Sequence, residues 1–386
     1  MTQYATLSMQ DKRAEADSFW RVATEIRAEP SSSLARKTYF PDPFSEPDPK
    51  FGKEEALIEV IQTSVGGNIL YAFYIFLSDK RRPRLNLYVH RVDSAWERRT
   101  QNVFDILHSP EAQLTAVAYR LLWGLIDSLL PQSVKGVYFS PDGIYYHINA
   151  GALYNGKKFI ADRYGIWYLA SSRRLVLKER HFPAQLPVVI GNPDFNHSPI
   201  STRGATTRGY RLFQGKLPPL PGAEEEAKAV AALLQVEPLI SKAATKDKPK
   251  QLHSPEVLYI ATHGYFQEGK SSPLLRAGPL LAEAAVWDSL NPPLGIENGY
   301  LTPQEVSSMN LLGTRLVALS ACETGLGDIT RKGLYSLQRT FLEAGAQRVI
   351  ATLWQIDDAA MCETMASFYQ KNGPATPKRN QFLRST

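Results

Sequence analysis

Short apolar runs alternate with helical patterns along the second half of the chain. The runs are PVVIGN (187–192), VLYIAT (257–262), RLVALSA (315–321) and RVIATLW (348–354). Helical spacing is found between them, at AEEEAKAVAALL and SLQRTFLEAGA. Continuous Val/Ile/Leu runs are typical of parallel strands buried on both faces. We therefore expect residues 184–386 to form an α/β domain with a mostly parallel sheet flanked by helices.

The pattern in residues 51–183 is more mixed and predicts a separate domain. Helices are predicted at KEEALIEVIQ (53–62) and AQLTAVAYRLLWGLIDSLL (112–130). Strands are predicted at NILYAFYIFL, RLNLYVH, GVYFS and GIYYHIN, the last two joined by the turn PDG. This half offers apolar core but few side chains suited to catalysis.

Two further segments stand apart from these domains. Residues 1–50 have a helical pattern around Ala14–Ala28 and then a proline-rich stretch, so we interpret them as an N-terminal helical and extended arm. Residues 192–222 are rich in Gly, Pro, Ser and Thr and form an unusually long connection. Such connections are typical of binding loops or of disorder.

Composition narrows the classes of function. The 386 residues are 44% hydrophobic, and the net charge of +6 is a small difference between 44 basic and 38 acidic residues. The length and this composition favour two globular domains, and the small net charge gives no indication of a nucleic-acid-binding surface. Two cysteines and an N-terminus without a signal-peptide pattern predict a cytoplasmic protein. No apolar stretch is long enough to span a bilayer, and no metal-spaced Cys/His cluster or phosphate loop indicates a cofactor.

Reactive side chains follow three of the predicted strands. His263 and Gly264 follow the second run, Cys322 follows the third, and Asp357 and Asp358 follow the fourth. Ligands bind beyond the carboxyl ends of strands in open α/β sheets, so these groups meet at one rim if their strands are neighbours. A nearby imidazole can deprotonate a thiol for attack on an amide carbonyl. The backbone N–H groups of Gly264 and Cys322 are candidate donors to the resulting oxyanion.

Structural roles remain open for the same residues. A cysteine near a strand end is often a small buried hydrophobe, and a histidine is often a hydrogen-bonded polar residue. Asp357 or Asp358 can instead cap the helix that begins DAAMCETMASFY, and for Asp357 we favour the cap. Cys362 lies on that helix among apolar positions, so we interpret it as core packing.

The motifs VLYIATHGYF and LVALSACETGLGD, in this order, resemble the CHAT family of caspase-like cysteine proteases, which shares a clan with caspases, separases and gingipains. The resemblance extends over about residues 51–369 and implies a pseudo-caspase half followed by an active half. It implies a His263–Cys322 dyad and an oxyanion hole at Gly264 and Cys322. Asp358 best matches an acidic residue with which separases bind a basic P1 side chain, but Gln355, which directly follows Trp354, departs from that pattern.

The resemblance implies a cysteine endopeptidase that cleaves a specific protein partner after a regulator activates it. It implies a place in prokaryotic antiviral defence, with a gasdermin-like pore former as a possible substrate and an RNA-guided complex as a possible regulator. The stretch after the cysteine loop and the last helix are shorter in this sequence than is usual in the family, and the 386 residues contain none of the tetratricopeptide repeats often fused upstream of the domain. The alternative is a catalytically silent caspase-like module that binds a peptide without cutting it.

Overall fold

The chain folds into two compact units. The first contains the described residues up to 175, and the second contains nearly all those from 182 onward. The computed structural model describes residues 52–65, 68–77, 84–91, 116–175, 182–197, 217–266, 273–275, 277–285, 298–321, 327–330, 333–352 and 358–372. The predicted N-terminal arm, with its helix at Ala14–Ala28, lies outside these ranges.

The first unit is built on a five-stranded mixed sheet. Its elements are β1 Glu55–Val65, β2 Asn68–Leu77, β3 Arg84–Arg91, α1 Ala116–Leu122, α2 Gly124–Leu129, β4 Gly136–Ser140 and β5 Gly165–Tyr168, with short 3₁₀ turns at Gly143–His147, Ala150–Ala152, Ile160–Asp162 and Ser172–Leu175. The strand order is β3-β2-β1-β4-β5. Strands β1 to β3 are antiparallel neighbours, whereas β4 is parallel to both β1 and β5. The strands predicted at 68–77, 84–90 and 136–140 are therefore confirmed.

The helix predicted at 53–62 is wrong, because this segment forms β1. Ile58 on one face of β1 belongs to the large core, while Ile61 packs with Ala72 and Tyr74 on the other face. A strand buried on both faces shows a continuous apolar run, which periodicity alone does not distinguish from a helix. Its central position in the sheet decides the conformation.

The strand predicted at 143–149 is also wrong, because residues Gly143–His147 form a 3₁₀ turn. Gly143 has φ +58, and its N–H donates to the Asp142 side chain at 2.9 Å. Strand β4 already pairs with β1 and β5, so it leaves no edge for a hairpin partner. The predicted helix at 112–130 is divided at Trp123, where α1 ends and α2 begins, and residues 112–115 lie outside the described ranges.

The second unit contains the predicted parallel sheet. Its elements are β6 Val188–Pro193, α3 Pro221–Leu234, β7 Leu239–Ser241, α4 Asp247–Lys250, β8 Val257–Ala261, β9 Gly264–Phe266, β10 Ala277–Pro279, α5 Pro303–Val306, β11 Leu316–Ser320, β12 Gly327–Thr330, β13 Gly333–Ser336, α6 Leu337–Glu343, β14 Val349–Ile350 and α7 Asp358–Asn372, with a 3₁₀ turn at Pro273–Leu275. The order is β14-β11-β8-β6-β7, and every neighbouring pair is parallel. Pairs β9–β10 and β12–β13 form two small sheets. The α/β fold with a mostly parallel sheet is confirmed.

Helices cover both faces of this sheet. Tyr259 of β8 packs in a core with Ala227 of α3 and Met365 of α7. Ile260, the next residue along β8, faces the opposite core, which contains Phe341 of α6. Both faces of the central strands are thus buried, which explains their unbroken apolar sequences. Of the fourth run, the structure describes residues 348–352, and these contain the two-residue strand β14.

Within the described part of the chain, no helix combines the length and the apolar character that crossing a bilayer requires. The longest of the helices described above is α7, with 15 residues.

Candidate functional site

Strands β8 and β11 are neighbours, and their carboxyl ends lie in register. Ala261 pairs with Ser320, and the Thr262 N–H donates to the Ser320 carbonyl oxygen at 3.0 Å. His263 follows Thr262 in the chain, and Cys322 follows Ala321, but Cys322 lies outside the described residues. The two strands that lead to the predicted dyad therefore end side by side at one rim of the sheet.

The His263 ring has a defined orientation at this rim. The ring is half-buried, lies 5.1 Å from the Phe195 ring between centroids, and has Nε2 3.1 Å from the carbonyl oxygen of Pro218. A carbonyl oxygen can only accept, so this contact assigns the proton to Nε2 in the neutral ring. Nδ1 is then the nitrogen that carries a lone pair and can accept a proton.

Two asparagines hold the segment that carries the Pro218 carbonyl. Asn196 Nδ2 donates to the Leu217 carbonyl at 2.8 Å, and Asn192 Oδ1 accepts from the Leu220 N–H at 2.8 Å. Asn192 Nδ2 also donates to Glu224 Oε2 at 2.9 Å, in the first turn of α3. The predicted long loop at 192–222 is thus pinned at both of its described ends, while residues 198–216 lie outside the described ranges.

Sequence reasoning missed the Pro218 contact because a backbone acceptor carries no residue signature. The available signals were the proline-rich stretch LPPLP (217–221) and the asparagines of GNPDFN (191–196). Consecutive prolines limit the backbone to extended conformations, and asparagine bonds readily to nearby backbone. Neither signal indicates a contact with His263, which lies much later in the sequence.

The backbone N–H of Gly264 is directed away from β10. Gly264 is the first residue of β9 and pairs with Pro279. The Leu280 N–H donates to the His263 carbonyl at 2.8 Å, which makes Gly264 and Pro279 a non-hydrogen-bonded pair of the antiparallel ladder. The Gly264 N–H therefore does not bond across this ladder, as a donor to an oxyanion requires.

The exit of β14 lies on the other side of β11 from β8. The buried Thr352 hydroxyl donates to the Ala321 carbonyl oxygen, which ties this exit to the residue before Cys322. Asp358 is the first residue of α7, but its side chain and all of Asp357 lie outside the described residues. The roles of both as P1 contacts or helix caps stay predictions.

Cys362 is half-buried on α7 and makes no disulfide. Met365 and Tyr369 on the same helix are core residues, with Met361 and Phe368 packed against that core. The helix therefore presents an apolar face to the sheet, as its sequence predicts, with Cys362 next to that face.

A shallow depression opens at the carboxyl ends of β6 and β7, beside the Phe195 ring. It is lined by Asn192, Pro193, Asp194, Phe195, Asn196, Pro219 and Ser241. Among the residues that the structure describes, no group of three or more His, Cys, Asp or Glu side chains is arranged to hold a metal ion.

Comparisons with known proteins find one matching family and two similar sequences. A family model described as CHAT domain matches residues 101–385. Human Tetratricopeptide repeat protein 28 is 26% identical over 246 residues, which cover 56% of this chain and 9% of the relative. Mouse Tetratricopeptide repeat protein 28 is 30% identical over 205 residues, which cover 45% of this chain and 8% of the relative. The chain thus spans less than a tenth of the length of these relatives.

Proposed function

The chain belongs to the CHAT domain family, a caspase-like family related to proteases, and on this premise we propose that it is a cysteine endopeptidase. Cys322 is the nucleophile and His263 the general base. One observation carries the proposal: the strand leading to His263 ends in register beside the strand leading to Cys322, with the imidazole oriented by the Pro218 carbonyl.

The reaction follows from this arrangement. Nδ1 of His263 takes the thiol proton of Cys322, and the thiolate adds to the carbonyl carbon of the scissile peptide bond. The N–H groups of Gly264 and Cys322 stabilise the oxyanion. The intermediate collapses to a thioester as the imidazolium protonates the leaving amine. Water, deprotonated by the same imidazole, then hydrolyses the thioester and releases the new carboxyl terminus with the free thiol.

The Pro218 carbonyl supports the imidazolium as well as the neutral ring. Its hydrogen bond with Nε2, 3.1 Å long, persists when Nδ1 becomes protonated, because Nε2 is a donor in both states. The hydrogen bond becomes charge-assisted in the imidazolium and therefore stronger. This favours proton transfer from the thiol to the ring.

The biological setting is proposed on family likeness alone. The substrate is a specific protein partner in the cytoplasm, and the enzyme stays inactive until a regulator binds. An antiviral defence pathway is the proposed context, with a gasdermin-like pore former as the substrate and an RNA-guided complex as the regulator. A basic P1 residue is proposed to meet Asp358, the acidic residue at the start of α7.

The proposed chemistry is tested with a set of peptidyl acyloxymethyl ketones whose peptides differ in the P1 residue. We expect stoichiometric modification of Cys322 in the activated protein and loss of modification in His263→Ala. Cys322→Ala should abolish cleavage without unfolding, since only a small side chain changes. Cys362→Ala is the matched control, because it removes the other thiol of the chain from a half-buried position on α7.

Two outcomes contradict the proposal. Equal loss of cleavage in folded Cys322→Ala and Cys362→Ala proteins would refute the assignment of the nucleophile. Binding of the peptide without modification of Cys322, in the presence of the activator, would favour the peptide-binding module instead.

A further inference from the structure

A chain of buried polar groups crosses the sheet of the second unit on the face covered by α3 and α7. Glu226 of α3 is 1% exposed, Tyr259 of β8 is 0% exposed, and Ser320 of β11 is 7% exposed. The Tyr259 hydroxyl donates to Glu226 Oε1 and accepts a hydrogen bond from the Ser320 side chain. Three elements are thus joined by two hydrogen bonds inside an otherwise apolar core.

The direction of these hydrogen bonds is fixed. Burial, followed by the charge of Glu226, raises the pKa of Tyr259 well above its ordinary value, so the phenol stays protonated. A protonated phenol has one hydrogen to donate, and Glu226 accepts it. The remaining lone pairs of the Tyr259 oxygen then accept from Ser320, whose hydroxyl therefore points back toward β8.

Apolar packing alone does not explain this chain. The surrounding core residues include Val257, Ala261 and Ala318, which already bury the same face of β8 and β11. A buried carboxylate is unfavourable unless hydrogen bonds satisfy it, so Glu226 is a costly way to fill space. Hydrogen bonds depend on direction, whereas hydrophobic burial does not, so the polar chain specifies where each strand lies.

Ser320 lies where such positional control acts on the candidate site. It is the last residue of β11, and its carbonyl oxygen accepts the Thr262 N–H at 3.0 Å. Thr262 directly precedes His263, and Cys322 comes two residues after Ser320. The Ser320 side chain anchors β11 to Tyr259, while its backbone joins the exit of β11 to the exit of β8.

We propose that Glu226, Tyr259 and Ser320 are positioning residues that hold the end of β11, and with it Cys322, beside His263. This inference rests on the proposed function, because it assigns these residues to the alignment of the same dyad. None of the three is proposed to contact substrate. They act on catalysis by limiting the positions that the thiol can take.

The test measures the reactivity of Cys322 in the full chain without relying on cleavage. Tyr259→Phe and Ser320→Ala each remove one hydroxyl of the polar chain. Each protein, activated as for the labelling with the peptidyl ketone, is alkylated with iodoacetamide between pH 5 and 10, and modification of the two cysteines is followed by peptide mass spectrometry. We expect alkylation of Cys322 at pH 7 to slow by roughly tenfold, with a higher apparent thiol pKa, because small displacements of aligned groups have large effects on rate. Cys362 is the internal reference.

Tyr369→Phe is the matched control. The Tyr369 ring lies edge-on to Tyr259 at 5.7 Å between centroids, and within the described part of the chain its buried hydroxyl has no hydrogen-bond partner. The Tyr369→Phe substitution therefore removes a phenol hydroxyl from the same core, as Tyr259→Phe does, but it should leave Cys322 alkylation at the wild-type rate. Glu226→Gln keeps an acceptor oxygen for Tyr259 and should retain most of the reactivity, whereas Glu226→Leu should lose it.

Equal Cys322 reactivity in folded Tyr259→Phe and Tyr369→Phe proteins would overturn the positioning role. If Tyr259→Phe does not fold, Ser320→Ala decides in its place. His263→Ala separates the two proposals: if it leaves Cys322 alkylation unchanged, the dyad itself is wrong. If His263→Ala slows alkylation but Tyr259→Phe and Ser320→Ala do not, only the positioning role is wrong.

Discussion

Replacing Asn192 with alanine should destabilise the second unit and disturb the orientation of His263. Asn192 accepts from the Leu220 N–H at 2.8 Å and donates to Glu224 Oε2 at 2.9 Å, and it has φ +40. Each lost hydrogen bond costs about 1 kcal/mol, and alanine in a left-handed conformation costs about 1 kcal/mol more. The sum of about 3 kcal/mol corresponds to a fall in Tm of about 6–12 °C for a unit of this size.

Scanning calorimetry measures this change, and two further variants divide it into its causes. Asn192→Gly removes both hydrogen bonds but adopts the left-handed conformation freely, so it should lose about 2 kcal/mol. Asn192→Asp keeps the acceptor for Leu220 but brings a second carboxylate next to Glu224. An Asn192→Ala protein with the wild-type Tm, or no more destabilised than Asn192→Gly, would refute this account.

The Asn192→Ala substitution should also reduce the reactivity of the His263–Cys322 dyad. The segment from Leu217 to Leu220 presents the Pro218 carbonyl to His263 Nε2, and Asn192 holds one of its ends. We expect Asn192→Ala to slow labelling of Cys322 by the peptidyl ketone by about tenfold, because an unrestrained imidazole spends less time aligned with the thiol. Labelling at the wild-type rate in the destabilised variant would show that the Pro218 contact does not control the ring.

Three other changes probe the fold and the specificity. Gly191→Ala should cost about 2–3 kcal/mol by thermal unfolding, because the new Cβ would lie 2.3 Å from Ala227 Cβ and push α3 away from β6; an unchanged Tm would contradict this packing. Burial acts to raise the pKa of Glu305, but hydrogen bonds from a backbone N–H and from Lys246 outweigh it and leave the pKa below its ordinary value. The ionised carboxylate therefore stabilises the folded state above about pH 4, and this contribution is lost on further acidification. Urea unfolding of Glu305→Gln should therefore show a deficit at pH 7 that shrinks below pH 4, and a constant deficit would count against it. Asp358→Ala should lower kcat/KM for a basic P1 peptide by more than about tenfold and spare an apolar one, and an unchanged P1 ranking in a peptide library would leave the residue with a capping role.

The local elements of the second unit were predictable from sequence alone. The runs at 257–262 and 315–321 form strands because a parallel strand covered on both faces needs an unbroken apolar sequence. The glycine and polar residues that follow them mark the strand exits. The positions of His263 and Gly264 at the rim of a sheet therefore follow from the sequence without its strand order.

Tertiary structure decided which of these elements became neighbours. The sequence 53–62 favours a helix by its local pattern, but it forms β1 because the sheet of the first unit buries both of its faces. The PDG turn suggested a hairpin, but both edges of β4 are occupied by parallel partners. The local propensity of a segment for helix or strand is a smaller effect than the burial of its apolar side chains, so burial decides the conformation where the two conflict.

The support around the candidate dyad shows the same limit most clearly. Pro218 contacts His263 through a backbone carbonyl, and Tyr259 meets Ser320 only because β8 and β11 pair in register. The sequence by itself determined the strands, their exits and the reactive residue types, since these depend on patterns a few residues long. The strand order and the contacts across it join residues far apart in the chain, and only the folded packing of the helices on the sheet determines them.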